Sequence, residues 1–162
     1  MGLFKPKWMS PDQAVAMEAL GKIQDDRALR DIVITHGVRS DVRLAALHRI
    51  AGQDVLLDIF AAFVRLPYGI APEVLPLIIS MLDTPCVLFA AEIFAQRGGD
   101  GWRGKSADVL RTKVSTVLYD RRKNMTLQQK QRLLDALKGT MWYSIFQREL
   151  ALEENGKEAR WI

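Results

Sequence analysis

"ALGKIQDDRALRDI" occupies Ala19–Ile32 and "ALHRIAGQDVLLDI" occupies Ala46–Ile59, so the chain nearly restates itself 27 residues later. That offset aligns Val15 with Val42, Ala19 with Ala46, Leu20 with Leu47 and Ile23 with Ile50. Leu29 then falls on Leu56, Asp31 on Asp58 and Ile32 on Ile59, while Lys22 and Arg49 match in charge. Seven identities within 18 residues at a fixed period mark stacked structural units.

Each unit reads as a pair of helices. In the first, Ser10, Pro11 and Gln13 make a start signal of N-cap, first-position proline and capping box. Ala14, Met17, Ala19, Leu20 and Ile23 follow at helical spacing. A turn near Gln24–Asp25 leads to a second helix bearing Leu29, Ile32 and Val33, which stops at Gly37. The β-favouring run "DIVITH" is expected to be helical because of its place in the repeat. The second unit restarts with Ser40 as N-cap and Asp41 in its first turn. It turns at Gly52 and resumes as "VLLDIFAAFV", and Pro67 forbids its continuation. Small residues at Ala19, Ala45 and Ala46 allow close helix approach.

"SDVRLAALHRI" (Ser40–Ile50) resembles the first helix of a HEAT-type repeat, with Asp41, Val42, Arg43, Ala45, Ala46 and Leu47 in the positions of that pattern. The first unit keeps Val15, Ala19 and Leu20 but has Ala16 where Arg43 stands. A degenerate third copy begins at "DTPCVLFAAEIFA". The resemblance covers roughly residues 10–97. It implies an all-α fold, a short right-handed α-α superhelix of antiparallel helix pairs. It also implies a pairing of Asp and Arg between repeats, so Asp41, Arg43, Asp31 and Asp58 are expected to be structural.

"APEVLPLIISML" and "TPCVLFAAEIFAQ" are apolar nearly all round, so residues 72–97 are expected to form buried central helices. Thr84 and Pro85 read as N-cap and first helical residue. Four glycines in Gln96–Lys105 make 98–105 a loop. Beyond it, Ala107, Leu110, Val114, Val117 and Leu118 form a helical stripe with Arg111, Arg122 and Lys123 largely off it. Thr126 with Gln129 makes a capping box for a helix ending at Gly139. A last helix, finishing at Gly156, packs through Trp142, Ile145, Phe146 and Leu150. The expectation is about eight helices, no significant sheet, and a single helical-repeat domain over 10–162 after a tail of residues 1–9. Residues 10–66 form the two HEAT-like units and 106–156 the basic C-terminal helices.

Composition narrows the chemistry. The chain has 162 residues, 49% hydrophobic and 26% charged, with a net charge of +4, as expected of a globular domain. The lone Cys86 excludes an intramolecular disulfide and sits in an apolar run, where a buried, inert thiol is expected. Pro6 stands where a myristoylation signal needs Ser or Thr, and no stretch is long and apolar enough to span a membrane. The expected setting is cytoplasmic. His36 and His48 lack companion ligands at metal spacing, so no cofactor or metal is expected. Phosphate-loop and nucleophile-elbow motifs are absent. Asp25–Asp26 at a helix start suits capping better than acid–base chemistry.

Charge is uneven along the chain. Trp102–Lys138 carries ten basic residues against Asp108, Asp120 and Asp135. Trp102, Arg103, Lys105, Arg111, Arg121, Arg122 and Lys123 are therefore the candidate binding residues, able to hold phosphates and stack a base or simply to solvate helix faces. Three readings follow. A non-enzymatic helical-repeat adaptor with a protein partner leads, on its repeats and its lack of a catalytic constellation. A nucleic-acid-binding protein using residues 102–138 is the alternative. A HEAT-like lyase or chaperone-type activity comes third and rests on fold alone. Oligomeric state is not readable from these residues.

Overall fold

In the computed structural model, residues 5–65, 73–97 and 105–156 are described, apart from the side chains of residues 97 and 105–107. Among the described residues there are nine α-helices and two short 3-10 turns, with no strand. The chain divides into two compact units, residues 1–63 and 64–162.

The first unit holds the 3-10 turn Lys7–Met9, then α1 (Gln13–Gly21), α2 (Asp26–Ile34), α3 (Ser40–Arg49) and α4 (Gln53–Arg65). α3 packs on both α2 and α1. The residues repeated at the 27-residue offset do the same work in each copy: Leu29, Ile32, Leu56 and Ile59 are all fully buried, and so are Leu20 and Leu47. "DIVITH" is helical through Ile34, and Thr35 is extended with its hydroxyl donating to Asp31 O at 2.5 Å. Gly37, at φ +79°, supplies the left-handed turn that follows.

Several helix starts differ from the sequence reading. Asp12, not Ser10, caps α1: its Oδ1 accepts from Ala14 N at 2.9 Å and Val15 N at 3.3 Å. Ser10 Oγ instead accepts from Asp12 N. Ser40 is the first residue of α3, whose N-cap is Arg39, and no side chain caps it. At α6 the Asp83 carboxylate accepts from Cys86 N at 2.9 Å, the role expected of Thr84. At α1 and α6 a carboxylate outcompetes the neighbouring hydroxyl, making the stronger, charge-assisted bond to the helix N-terminus.

The second unit comprises α5 (Val74–Met81), α6 (Thr84–Arg97), α7 (Lys105–Arg121), a 3-10 turn at Arg122–Asn124, α8 (Leu127–Ala136) and α9 (Trp142–Glu154). α5 packs on α7, α6 on α8, and α9 on both α8 and α7. Ile78, Ile79, Val114, Leu118, Leu133, Leu137 and Phe146 form its interior. The capping box of Thr126 and Gln129 is complete, and Gly139 and Gly156 take positive φ past the helices they follow.

The central helices are not covered on every side. Phe89, midway along α6, is 56% exposed, and Cys86 is half-buried rather than buried. Uniform apolarity predicted coverage all round, but the buried side of α6 is carried by Val87, Leu88, Ala90, Ala91 and Phe94. Ile145 likewise points outward, leaving Phe146 and Leu150 as the buried face of α9. Pro67, Pro72 and the glycine-rich loop at 98–104 lie outside the described residues.

Candidate functional site

Two candidate cations of the second unit, Arg121 and Arg122, are engaged within it. Arg121 Nη2 donates to Leu82 O at 2.5 Å, the carbonyl at the end of α5, where the helix dipole favours a positive charge. Arg122, only 13% exposed at its side chain, donates from Nε to Glu149 Oε2 at 2.8 Å. Its guanidinium carbon lies 3.6 Å from the centre of the Tyr119 ring. Tyr119 OH donates to Glu149 Oε1 at 2.6 Å, and its ring stacks on Trp142 at 4.6 Å. Burial, reinforced by the Glu149 hydrogen bond, pushes the Tyr119 phenol up to about 12. This is a closed polar network between α7 and α9.

Three further cations of the basic stretch are paired too. Lys130 reaches Glu153 at 2.6 Å, and Arg132 Nε donates to Glu92 Oε1 at 2.9 Å. Lys138 pairs with Asp135 at 2.9 Å. Apart from Asp135, the acids that balance the basic stretch therefore come from α6 and α9, outside the window in which the excess was counted. Of the candidate binding residues, Lys123 is exposed and forms no ion pair with a described residue. Arg111 is half-buried and likewise forms no ion pair with a described residue. Trp102 and Arg103 lie outside the described residues, as does the side chain of Lys105, the first residue of α7.

In the first unit the four repeat residues are engaged as follows. Asp41 accepts from Arg39 in a two-point pair at 3.0 and 3.1 Å, and the Arg39 hydrogen bond holds its carboxyl below the usual range. Arg43 is buried, donates to Thr35 O at 3.1 Å and Val38 O at 3.4 Å, and lies 5.8 Å over the Phe63 ring. It covers the carbonyl end of α2. Asp31 and Asp58, equivalent positions of the two copies, meet on one guanidinium: Arg30 lies 2.9 Å from Asp31 and 2.6 Å from Asp58.

Two further links, absent from the sequence reading, join the copies directly. Arg49, at the end of α3, donates to Leu20 O at 2.5 Å and to Ile23 O, the carbonyls that close α1. Asp26, at the start of α2, accepts from Gly52 N at 2.7 Å and Ala51 N at 3.2 Å, ahead of α4. Gly52 permits that approach, since a Cβ there would lie 3.1 Å from Asp26 Oδ2 and 3.0 Å from Asp54 Oδ1. The signal in the sequence was the charge at each helix end: a cation closing the first helix of each copy and Asp25–Asp26 opening α2.

An open groove of about 200 Å³ runs between α6 and α8, lined by Glu92, Ala95, Gln96, Arg132, Asp135 and Ala136. Its charged groups are already paired, and it gathers no nucleophile–base pair. No three described His, Cys, Asp or Glu residues come together to hold a metal. No helix among the described residues is long and apolar enough to cross a membrane. No family model, curated protein or solved structure matches the chain.

Proposed function

We propose that this chain is a non-enzymatic helical-repeat module of HEAT-like kind whose partner is another protein. One observation carries the reading. In the second unit Arg121, Arg122, Lys130, Arg132 and Lys138 are held by carboxylates or a carbonyl, while Phe89, Val109, Leu127 and Met141 stand exposed on four different segments. Large exposed apolar side chains are the usual anchors of protein interfaces, and paired cations make poor phosphate contacts. The links from Arg49 to α1 and from Asp26 to Gly52 support a stacked-repeat architecture. The nucleic-acid reading retains Lys123 and the half-buried Arg111 among the described candidate side chains, and no observation favours the lyase reading.

The test is site-specific photo-crosslinking from position 89 or 141 in a cell extract, with Lys123 as the control position. A discrete protein adduct at 89 or 141, lost on Phe89→Glu with Met141→Glu, is expected. Adducts only at 123, sensitive to nuclease, would reverse the assignment.

A further inference from the structure

Three hydrogen-bond donors in the second unit are buried and meet no acceptor among the described residues: Arg111 Nε, Ser115 Oγ and Trp142 Nε1. Ser115 is fully buried, at 0% exposure. Their positions are tied together. Arg111, Ser115 and Tyr119 follow one another at four-residue steps, so they share one stripe of α7. At one end of that stripe the Tyr119 ring stacks on Trp142, the first residue of α9. At the other end, a Cβ at Gly139 would lie 3.6 Å from Arg111 Nη2. Ser115 lies between these two contacts, so the stripe faces the 139–142 turn that leads into α9.

The start of α9 adds to this arrangement. No side chain caps this 13-residue helix, and its first turn holds no acidic residue. Arg111 forms no ion pair with a described residue, and the nearby Glu149 is held by Arg122 and Tyr119. The seam thus presents a guanidinium, a hydroxyl, an indole N–H and a helix N-terminus, which are donors and positive potential with no anion of their own. A buried donor left unpaired is costly, so such a cluster calls for an acceptor. Guanidinium and helix N-terminus together select a negatively charged one.

We propose that the seam between α7 and the start of α9, framed by Arg111, Ser115 and Trp142, binds a small oxyanion, either a phosphate group or a carboxylate. The proposal does not rest on the protein-binding reading, although Met141 stands beside Trp142 in the same turn.

The experiment uses the full chain, ¹⁵N-labelled, with the Trp142 indole N–H resonance assigned through Trp142→Phe. Inorganic phosphate and acetate are titrated separately at ionic strength held constant with sodium chloride. The indole resonance is expected to move saturably with at least one of them, and the active anion identifies the source. Arg111→Gln should weaken binding by about tenfold or more, the equivalent of losing one charge-assisted hydrogen bond. Ser115→Ala, which removes an unpaired hydroxyl and keeps the fold, should weaken it several-fold and guards against an Arg111 variant that misfolds. A resonance that stays still with both anions, or shifts equally when chloride alone is raised, overturns the proposal. So does an affinity unchanged in Ser115→Ala and Arg111→Gln.

Discussion

The two copies of the repeat share their interior and differ at their edges. Leu20 and Leu47, Leu29 and Leu56, Ile32 and Ile59 are buried alike, yet Val15 is 41% exposed where Val42 is fully buried. The face of α3 that carries Val42 also carries Ala45 and Arg49, and Arg49 reaches α1. On α1 the matching positions hold Glu18 and Lys22, which pair with each other in solvent at 2.7 Å. The shared leucines and isoleucines at the repeat spacing therefore mark what each copy must bury, whereas Val15 and the diverging charges mark where the copies face different surroundings. Arg43 and Arg49 of the second copy grip carbonyls of the first, while Glu18 and Lys22 at the matching face of the first copy meet water and each other.

Converting one copy toward the other tests this contrast. Arg43→Ala gives the second copy the first copy's residue, Ala16. It strips the carbonyl end of α2 of a buried guanidinium and leaves a void, so urea unfolding should show a loss of about 2–3 kcal/mol. Asp26→Ala removes the acceptor for Ala51 N and Gly52 N, and about 1–2 kcal/mol should be lost, as for other helix-start caps. Gly52→Ala should act in the same direction by displacing that carboxylate. Glu18→Ala, which gives the first copy the residue at Ala45, should leave the thermal midpoint unmoved, because the pair it breaks is fully exposed. An equal loss in Arg43→Ala and Glu18→Ala would erase the distinction between gripping and solvated charges.

The second unit offers a pH-dependent counterpart. Tyr119 has its phenol raised to about 12 in the folded chain, against about 10 when unfolded. Its contribution is then complete below pH 10 and is lost as pH climbs toward 12. Alkaline unfolding followed by circular dichroism should show that extra loss in the wild type and not in Tyr119→Phe.

Much of this architecture is legible from residue spacing. The helices, the Thr126–Gln129 box and the left-handed glycines at 37, 139 and 156 are local features, decided by neighbours a few residues away. The partners of the basic stretch are not local. Glu92, Glu149 and Glu153 meet Arg132, Arg122 and Lys130 across 23 to 40 residues of sequence, and a running charge count cannot see such pairs. The spacing of Glu149 and Glu153, one helical turn apart, was the available hint. Outward-facing Phe89 and Ile145 were missed because apolar residues in a helix predict burial only on the side that has a neighbour.

One consequence bears on how nucleic-acid binding is tested. Reversing Arg121 and Arg122 would unseat the end of α5 and the Glu149–Tyr119 network, so lost binding in such a variant would report lost folding. Lys123→Glu is the clean substitution. The central claim, that Arg121, Arg122, Lys130, Arg132 and Lys138 are engaged by carboxylates and a carbonyl of the fold, is tested most directly by fluorescence anisotropy of labelled single-stranded RNA and duplex DNA across a salt series. Wild type and Lys123→Glu should both show no salt-dependent binding, whereas tight wild-type binding that falls steeply with salt and disappears in Lys123→Glu would contradict the claim.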